Sequence, residues 1–298
     1  MTGGGKVGAG MSEIWDVVVI GAGAAGLRAA AVAAKAGARV MCIDKLGPGG
    51  LMMNFGEIHN APAEAAGLTG PDFIAALLDQ ATEAGVEMGF GEVTALGAGA
   101  TWSVVADETH AARAVVVASG LSHGTLGLPE EARYLGQGIS HCAVCDGPLY
   151  AGQPVVVVGD QGWAVQEARE LAGMASAVTV VAETAPPLPN VTAIPGRIIA
   201  LDGDDGLQGL VIERGGQTMR LETRALFPYV GRKPACDFVE ADRDAAGALV
   251  VGADGATSAP GLFAAGDVRA SAPETIAQAL ADAQQAGAAA AAWAAAHR

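Results

Sequence analysis

Basic residues are scarce in this sequence. Only 17 Lys and Arg stand against 32 Asp and Glu over 298 positions, a formal net charge of −15. They form no cluster, and a nucleic-acid surface needs one, so no nucleic acid partner is expected. Charged residues of both signs make up 16% and aromatics 4%, while 51% of residues are hydrophobic. That balance excludes a disordered chain and fits a compact protein with length for two cored domains. No apolar run reads as a membrane span. The alanine-rich "AGAAAAAWAAAH" near the C-terminus is short and reads as a buried or amphipathic helix. The glycine-rich start, "MTGGGKVGAGMSEIW", lacks the apolar core of a secretion signal. Residues 1–11 read as a flexible tail, with Met11 as an alternative start, and the expected compartment is the cytoplasm. There, 4 cysteines point to free thiols, a metal or redox chemistry rather than structural disulfides.

What is present is organised around nucleotide-binding patterns. "WDVVVIGAGAAGLRAAAVAAKAGARVMCIDK" runs from Trp15 to Lys45. An apolar strand at 16–20 precedes Gly21, Gly23 and Gly26, which form G-x-G-x-x-G around Ala24 and Ala25 at the head of an alanine-rich helix. Gly21 suits the tight turn, Gly23 the approach of a pyrophosphate, and Gly26 the close packing of helix on strand. The helix N-terminus favours negative phosphates. A second strand ends at Asp44, followed by Lys45, where an acid binds ribose hydroxyls in such units. Near the C-terminus, "TSAPGLFAAGDV" offers a short strand and then Gly266-Asp267. The Asp is suited to a ribityl chain or to phosphates through water, and equally to capping the next helix. The two segments together indicate FAD rather than NAD.

Cys142-Ala143-Val144-Cys145 is a C-x-x-C. A zinc site would need a second pair or suitably spaced histidines. Cys42 and Cys236 are isolated and read as small buried residues, and His141 is the only nearby histidine, so no metal is expected. A redox pair is the favoured reading, because this spacing lets the sulfurs meet. Asp146 can exchange protons with the thiols. His141, if protonated, would favour a thiolate at Cys142; an ordinary surface histidine is the equal alternative.

In this order the motifs resemble the low-molecular-weight thioredoxin reductases, FAD-dependent pyridine nucleotide–disulfide oxidoreductases, over about residues 14–290. "CAVCDG" is similar to the family's C-A-T-C-D-G. "GGLMMNFGEIHNAP", with Gly49, Gly50, Leu51 and Asn60, follows the family's segment along the flavin. "AVVVASG" matches its A-T-G strand end, with Gly120 in the glycine place. "GLFAAGDV" and "FPYVGRKPACDF" match the returning part of the flavin domain. The resemblance implies an α/β fold with two Rossmann-like domains, the second inserted into the first. An FAD domain at 12–124 and 234–298 would enclose a pyridine-nucleotide-type domain at 125–233 that carries the C-x-x-C. It also implies that Cys145 faces the flavin, Cys142 attacks the substrate disulfide and Asp146 is the acid. A homodimer is implied as well, in which domains rotate to alternate dithiol and nicotinamide at the flavin.

The chain departs from that family at the second nucleotide loop. Where the family has G-G-G-x-x-A, this chain has Gly159-Asp160-Gln161-Gly162-Trp163-Ala164. Gln161 replaces the close-approach glycine, Asp160 places a negative charge beside a phosphate, and Trp163 adds bulk. The family's cluster for the 2′-phosphate is missing, since no Lys or Arg occurs between Arg169 and Arg197. Glu183 could meet an NADH ribose, or be a solvated strand-end acid. A helix usual after this strand is expected to be absent. At the flavin, the family's Gln is Leu51 and its Arg-Gln pair is Glu274 and Thr275, with Ile276 following; Thr275 and Ile276 are still counted as cofactor contacts.

These departures lead to a dithiol–disulfide oxidoreductase holding FAD, with NADPH not expected. Its partner would be a thioredoxin-like protein or a small-molecule disulfide or dithiol; the chain is similar to the ferredoxin-linked flavin thioredoxin reductases, and that resemblance implies a ferredoxin as candidate donor. Three other readings stay open: a dithiol oxidase passing electrons to oxygen, an NAD(P)H-dependent reductase with unusual cofactor binding, and a non-catalytic flavin redox sensor.

Overall fold

The computed structural model describes residues 14–56, 58, 62–160, 162–184, 187–271 and 273–298. Asn60 and Gln161 lie outside these residues, as does the expected tail at 1–11. The chain divides into two compact units. One runs up to Leu121 and resumes at Pro234–Arg298; the other is Ser122–Lys233. The fold is α/β with two Rossmann-like domains, the second inserted into the first.

In the first unit β1 (Trp15–Ile20), α1 (Ala24–Lys35) and β2 (Val40–Asp44) form the opening βαβ. They are followed by α2 (Gly70–Glu83), β3 (Glu87–Phe90), β4 (Ala95–Gly97), β5 (Trp102–Val105) and β6 (Thr109–Val117). The sheet runs β3-β2-β1-β6-β5-β4. Its β3, β2, β1 and β6 are parallel, and β5 and β4 fold back antiparallel.

The second unit starts from β7 (Leu121–His123) and continues through the single turn α3 (Ala143–Asp146), β8 (Pro154–Val158), α4 (Trp163–Leu171) and β9 (Ala177–Ala182). Then come β10 (Val191–Pro195), β11 (Arg197–Asp202), β12 (Gly209–Arg214), β13 (Gln217–Glu222) and β14 (Ala225–Pro228). No helix lies between β9 and β10 among the described residues. The parallel sheet is β10-β9-β8-β14, beside an antiparallel sheet β11-β12-β13. The chain returns through β15 (Arg232–Pro234), which pairs with β7. It closes with β16 (Leu262–Ala264), parallel to β6, and α5 (Ile276–Ala296).

Side chains alternate across a strand, so a strand buried on both faces reads as an unbroken apolar run. In β1, Val17 and Val19 face a core built with α1, α2 and α5, while Val18 and Ile20 face a second core under β5 and Leu249. The four valines of β8 divide likewise. Val155 and Val157 pack on Ala164, Ala168 and Leu171 of α4, and Val156 and Val158 pack on Ile198, Leu210 and Ile212 of the antiparallel sheet. The alanine-rich C-terminal stretch forms the second half of α5 and packs on α1. A Cβ on Gly287 would come within 2.5 Å of the Ala29 carbonyl oxygen, so only small residues fit this contact. Among the described residues no helix is long and apolar enough to cross a membrane.

Candidate active site

The first centre is the glycine turn after β1. Gly21 has φ +101°. A Cβ on Gly26 would overlap the carbonyl oxygen of Gly21, so no larger residue lets α1 start this close to the strand. Gly23 is the N-cap of α1 and has no side-chain cap. The first N–H groups of the helix, at Ala24 and Ala25, are therefore left for a ligand. Among the described residues, the space a side chain on Gly23 would fill is bounded by Gly49 O at 4.0 Å.

Two more segments converge on this turn. Gly49 N donates to Ala22 O at 3.0 Å, and the Gly50 Cβ position lies 3.4 Å from Gly23 Cα. Leu51 follows in a 3-10 turn, Gly50–Asn54. Gly266 opens another 3-10 turn that carries Asp267, and it has φ +75°. A Cβ there would come within 2.9 Å of Ala25 Cβ. The Gly266-Asp267 turn is therefore seated directly on the fingerprint helix. Thr275 caps α5, its hydroxyl accepting from Gln278 N at 3.2 Å, and Ile276 is the first helical residue. This cradle of uncapped N–H groups and side-chain-free space fits a dinucleotide's pyrophosphate.

The remaining expected contacts are placed differently. Asp44 takes Ala22 N (2.8 Å) on Oδ2 and Leu46 N (2.8 Å) and Gly47 N (3.1 Å) on Oδ1. It ties the strand ends together, and any ribose hydroxyl would use its remaining lone pairs. Lys45 pairs with Glu92 at 3.4 Å. Gly120 has φ +65°, and its carbonyl accepts from Ala235 N at 3.0 Å.

The second centre is the disulfide between Cys142 and Cys145, with Cα atoms 5.3 Å apart. Cys145 N donates to Cys142 Sγ at 3.2 Å, and Asp146 N donates to Cys142 O at 3.0 Å. Cys142, Cys145 and Asp146 thus share one turn. Burial, with the Asp146 charge added, pushes the Tyr150 phenol up. His141 stacks on His123 with ring centroids 4.3 Å apart and planes 2° from parallel. Burial pulls His141 below the usual imidazole range, against the opposing effects of Pro228 O and Glu131. That direction opposes a protonated His141 beside Cys142. Cys42 and Cys236 are buried and stand outside the disulfide, and burial beside Asp44 pushes Cys42 up to about 12.

In the second unit, the loop after β8 and the end of β9 border a crevice of about 580 Å³ lined by Gly159, Asp160, Glu183, Arg197 and Tyr229 among others. Asp160 Oδ2 accepts from Thr184 Oγ1 at 2.9 Å. Arg197, which the sequence alone does not bring to this mouth, arrives from β11 and pairs with Glu213 at 2.6 Å. Sequence distance hid it, because the turn before β11 brings it back beside Glu183.

A family model described as pyridine nucleotide-disulphide oxidoreductase matches residues 15–286. The chain belongs to that family. A thioredoxin reductase of Treponema pallidum is 31% identical over 278 residues, covering 87% of this chain and 91% of the relative. Among solved structures, the Lactococcus lactis thioredoxin reductase aligns with a TM-score of 0.81 at 29% identity, over 94% of this chain and 99% of that one. A ferredoxin-flavin thioredoxin reductase of Clostridium acetobutylicum aligns at 0.54 and 26% identity, over 93% and 97%. The protein is a flavoprotein disulfide oxidoreductase of the thioredoxin-reductase type.

Proposed function

We propose that this enzyme exchanges electrons between bound FAD and a thioredoxin-like or small-molecule disulfide through Cys142 and Cys145, drawing them from a donor other than NADPH. One observation carries the reading. The disulfide sits in an intact C-x-x-C-D turn, on a unit whose phosphate loop holds Asp160 tied to Thr184. FAD, when bound, supplies a two-electron centre able to reduce that disulfide.

Reduction of the Cys142–Cys145 bond takes two electrons and two protons. The Cys142 thiolate then attacks the substrate disulfide and releases one substrate thiol. Cys145 next attacks the mixed disulfide at Cys142, releasing the second thiol and closing the pair again. Asp146, one residue past Cys145, is the group assigned to move protons. Gly21, Gly23, Ala24, Ala25, Gly26, Gly49, Gly50, Leu51, Gly266 and Asp267 hold the cofactor, with Asp44, Lys45, Gly120, Thr275 and Ile276 around them.

A ferredoxin-like protein is the favoured donor, in line with the resemblance to the clostridial enzyme. The net charge of −15 opposes an acidic partner and requires a local basic patch for docking. Run in the opposite direction, the same centres would make a dithiol oxidase. Arg197 favours a different second reading, in which a nicotinamide nucleotide binds in an unusual mode. The working form is taken to be a cytoplasmic homodimer.

Cysteine variants test the dithiol. Cys142→Ser and Cys145→Ser should each keep the flavin and lose disulfide turnover, and Cys145→Ser should accumulate a mixed disulfide at Cys142. Full turnover in Cys145→Ser would remove the mechanism.

A further inference from the structure

Glu167 is an acid that the redox chemistry described above does not use. It lies mid-way along α4, the helix that follows the altered phosphate loop, and is only 2% exposed. Its Oε2 accepts a hydrogen bond from Ala143 N at 2.8 Å, with both partners buried. Ala143 is the residue between Cys142 and the rest of the dithiol turn. The carboxyl thus reaches out of the nucleotide-type helix and takes up a backbone N–H of the C-x-x-C.

We propose that Glu167 is a positioning residue for the dithiol: its buried carboxyl fixes the Cys142–Cys145 turn through the Ala143 N–H and sets the charge against which a thiolate forms there. The proposal rests on the dithiol reading given above.

The surroundings agree. A buried N–H left without a partner is destabilising, so the turn depends on this acceptor. Among the described residues, no cation acts on the carboxyl. Glu170 on its own helix is acidic. The strands beneath α4, β8 and β9, carry no titratable side chain. From beyond β14, Tyr229 brings a buried hydroxyl beside it that lacks a hydrogen bond of good geometry. The α3 turn brings only the two cysteines and Asp146. Burial pushes Glu167 above the usual carboxylate range, more than the Ala143 N–H and the nearby Tyr229 hydroxyl pull it down, and the Glu170 charge adds to the rise. Burial, and after it the Glu167 charge, also push the Tyr229 phenol up. A negative Glu167 and a negative sulfur oppose each other, and each makes the other harder to ionise.

Glu167→Gln separates position from charge, because the amide oxygen can still accept from Ala143 N. In the full-length, flavin-loaded protein, the dithiol is reduced and alkylated with iodoacetamide across a pH series. The variant should show a reactivity midpoint about one pH unit below the wild type. Its reduction midpoint in glutathione buffers should move towards a more readily reduced pair, since a stabilised thiolate stabilises the reduced form. Glu167→Ala removes the acceptor and should slow thiol–disulfide exchange, with Gln restoring the rate. If the alanine variant does not fold, the Gln variant carries the test alone. An unchanged pH midpoint and potential in Glu167→Gln would overturn the proposal. A wild-type pair that exchanges with no disulfide at all would instead overturn the dithiol reading beneath it.

Discussion

Asp160 Oδ2 accepts a hydrogen bond from Thr184 Oγ1 at 2.9 Å, joining the loop after β8 to the end of β9. In a Rossmann unit these two strand ends flank the bound dinucleotide, the first at the pyrophosphate and the second at the ribose. Here they are tied to each other by a carboxylate. Glu183 adds a second acid to the crevice, and the cation that reaches it, Arg197, is held by Glu213.

Removing this tie should partly reopen the crevice. Asp160→Gly deletes a negative charge beside the phosphate position and frees Thr184. NADPH affinity should rise about tenfold, equivalent to about 1.4 kcal/mol, with flavin content unchanged. Equilibrium titration by fluorescence quenching measures the change. An unchanged affinity would mean that Asp160 is not what keeps the nucleotide out.

Gly266→Val should cost flavin binding. The position has φ +75°, and a Cβ would come within 2.9 Å of Ala25 Cβ. Backbone strain and overpacking each cost about 1–3 kcal/mol, together about 2–6 kcal/mol. The turn would have to move off the head of α1. The ratio of flavin to protein absorbance after purification should fall, and added FAD should restore it only in part. Full flavin occupancy would show that the Gly266 turn does not shape the cradle.

Asp16 should govern acid stability. Burial pushes its carboxyl up, but the Arg39 N–H, Arg298 and Arg113 together outweigh burial and hold it below its ordinary value of 3.8. A carboxylate with a lowered folded pKa contributes stability above its unfolded pKa and loses it as pH falls through the folded one. Asp16→Asn should therefore destabilise the protein at neutral pH by about 1.5–3 kcal/mol. The gap to wild type should narrow as the pH drops below the ordinary carboxylate value. Denaturant melts over a pH series give both numbers, and a gap independent of pH would contradict the assignment.

Local patterns in the sequence carried much of the fold. The run at 16–20 ahead of Gly21, Gly23 and Gly26 is a strand, turn and helix within one stretch of chain, so its geometry is written in neighbouring residues. The valines of β8 show burial on both faces for the same reason. C-x-x-C is equally local, and the turn it forms needs no distant partner to be recognised. Contacts between distant residues were not legible. Arg197 enters the crevice only because β11 turns back beside β9. Glu167 meets Ala143 only because α4 packs against the dithiol turn. His123 and His141 stack because β7 and the residues before Cys142 come together in space. Asp44 was legible as a strand-end acid, but its three bonds to backbone N–H groups depend on how the loops at Ala22 and Leu46 close around it.

The central claim is that electrons reach FAD and the Cys142–Cys145 pair from something other than NADPH. It is tested most directly by anaerobic titration of the FAD-loaded protein, following flavin absorbance. The account predicts that micromolar NADPH leaves the oxidised flavin spectrum unchanged, while a reduced ferredoxin bleaches it and the dithiol forms. Rapid bleaching by micromolar NADPH would contradict the account.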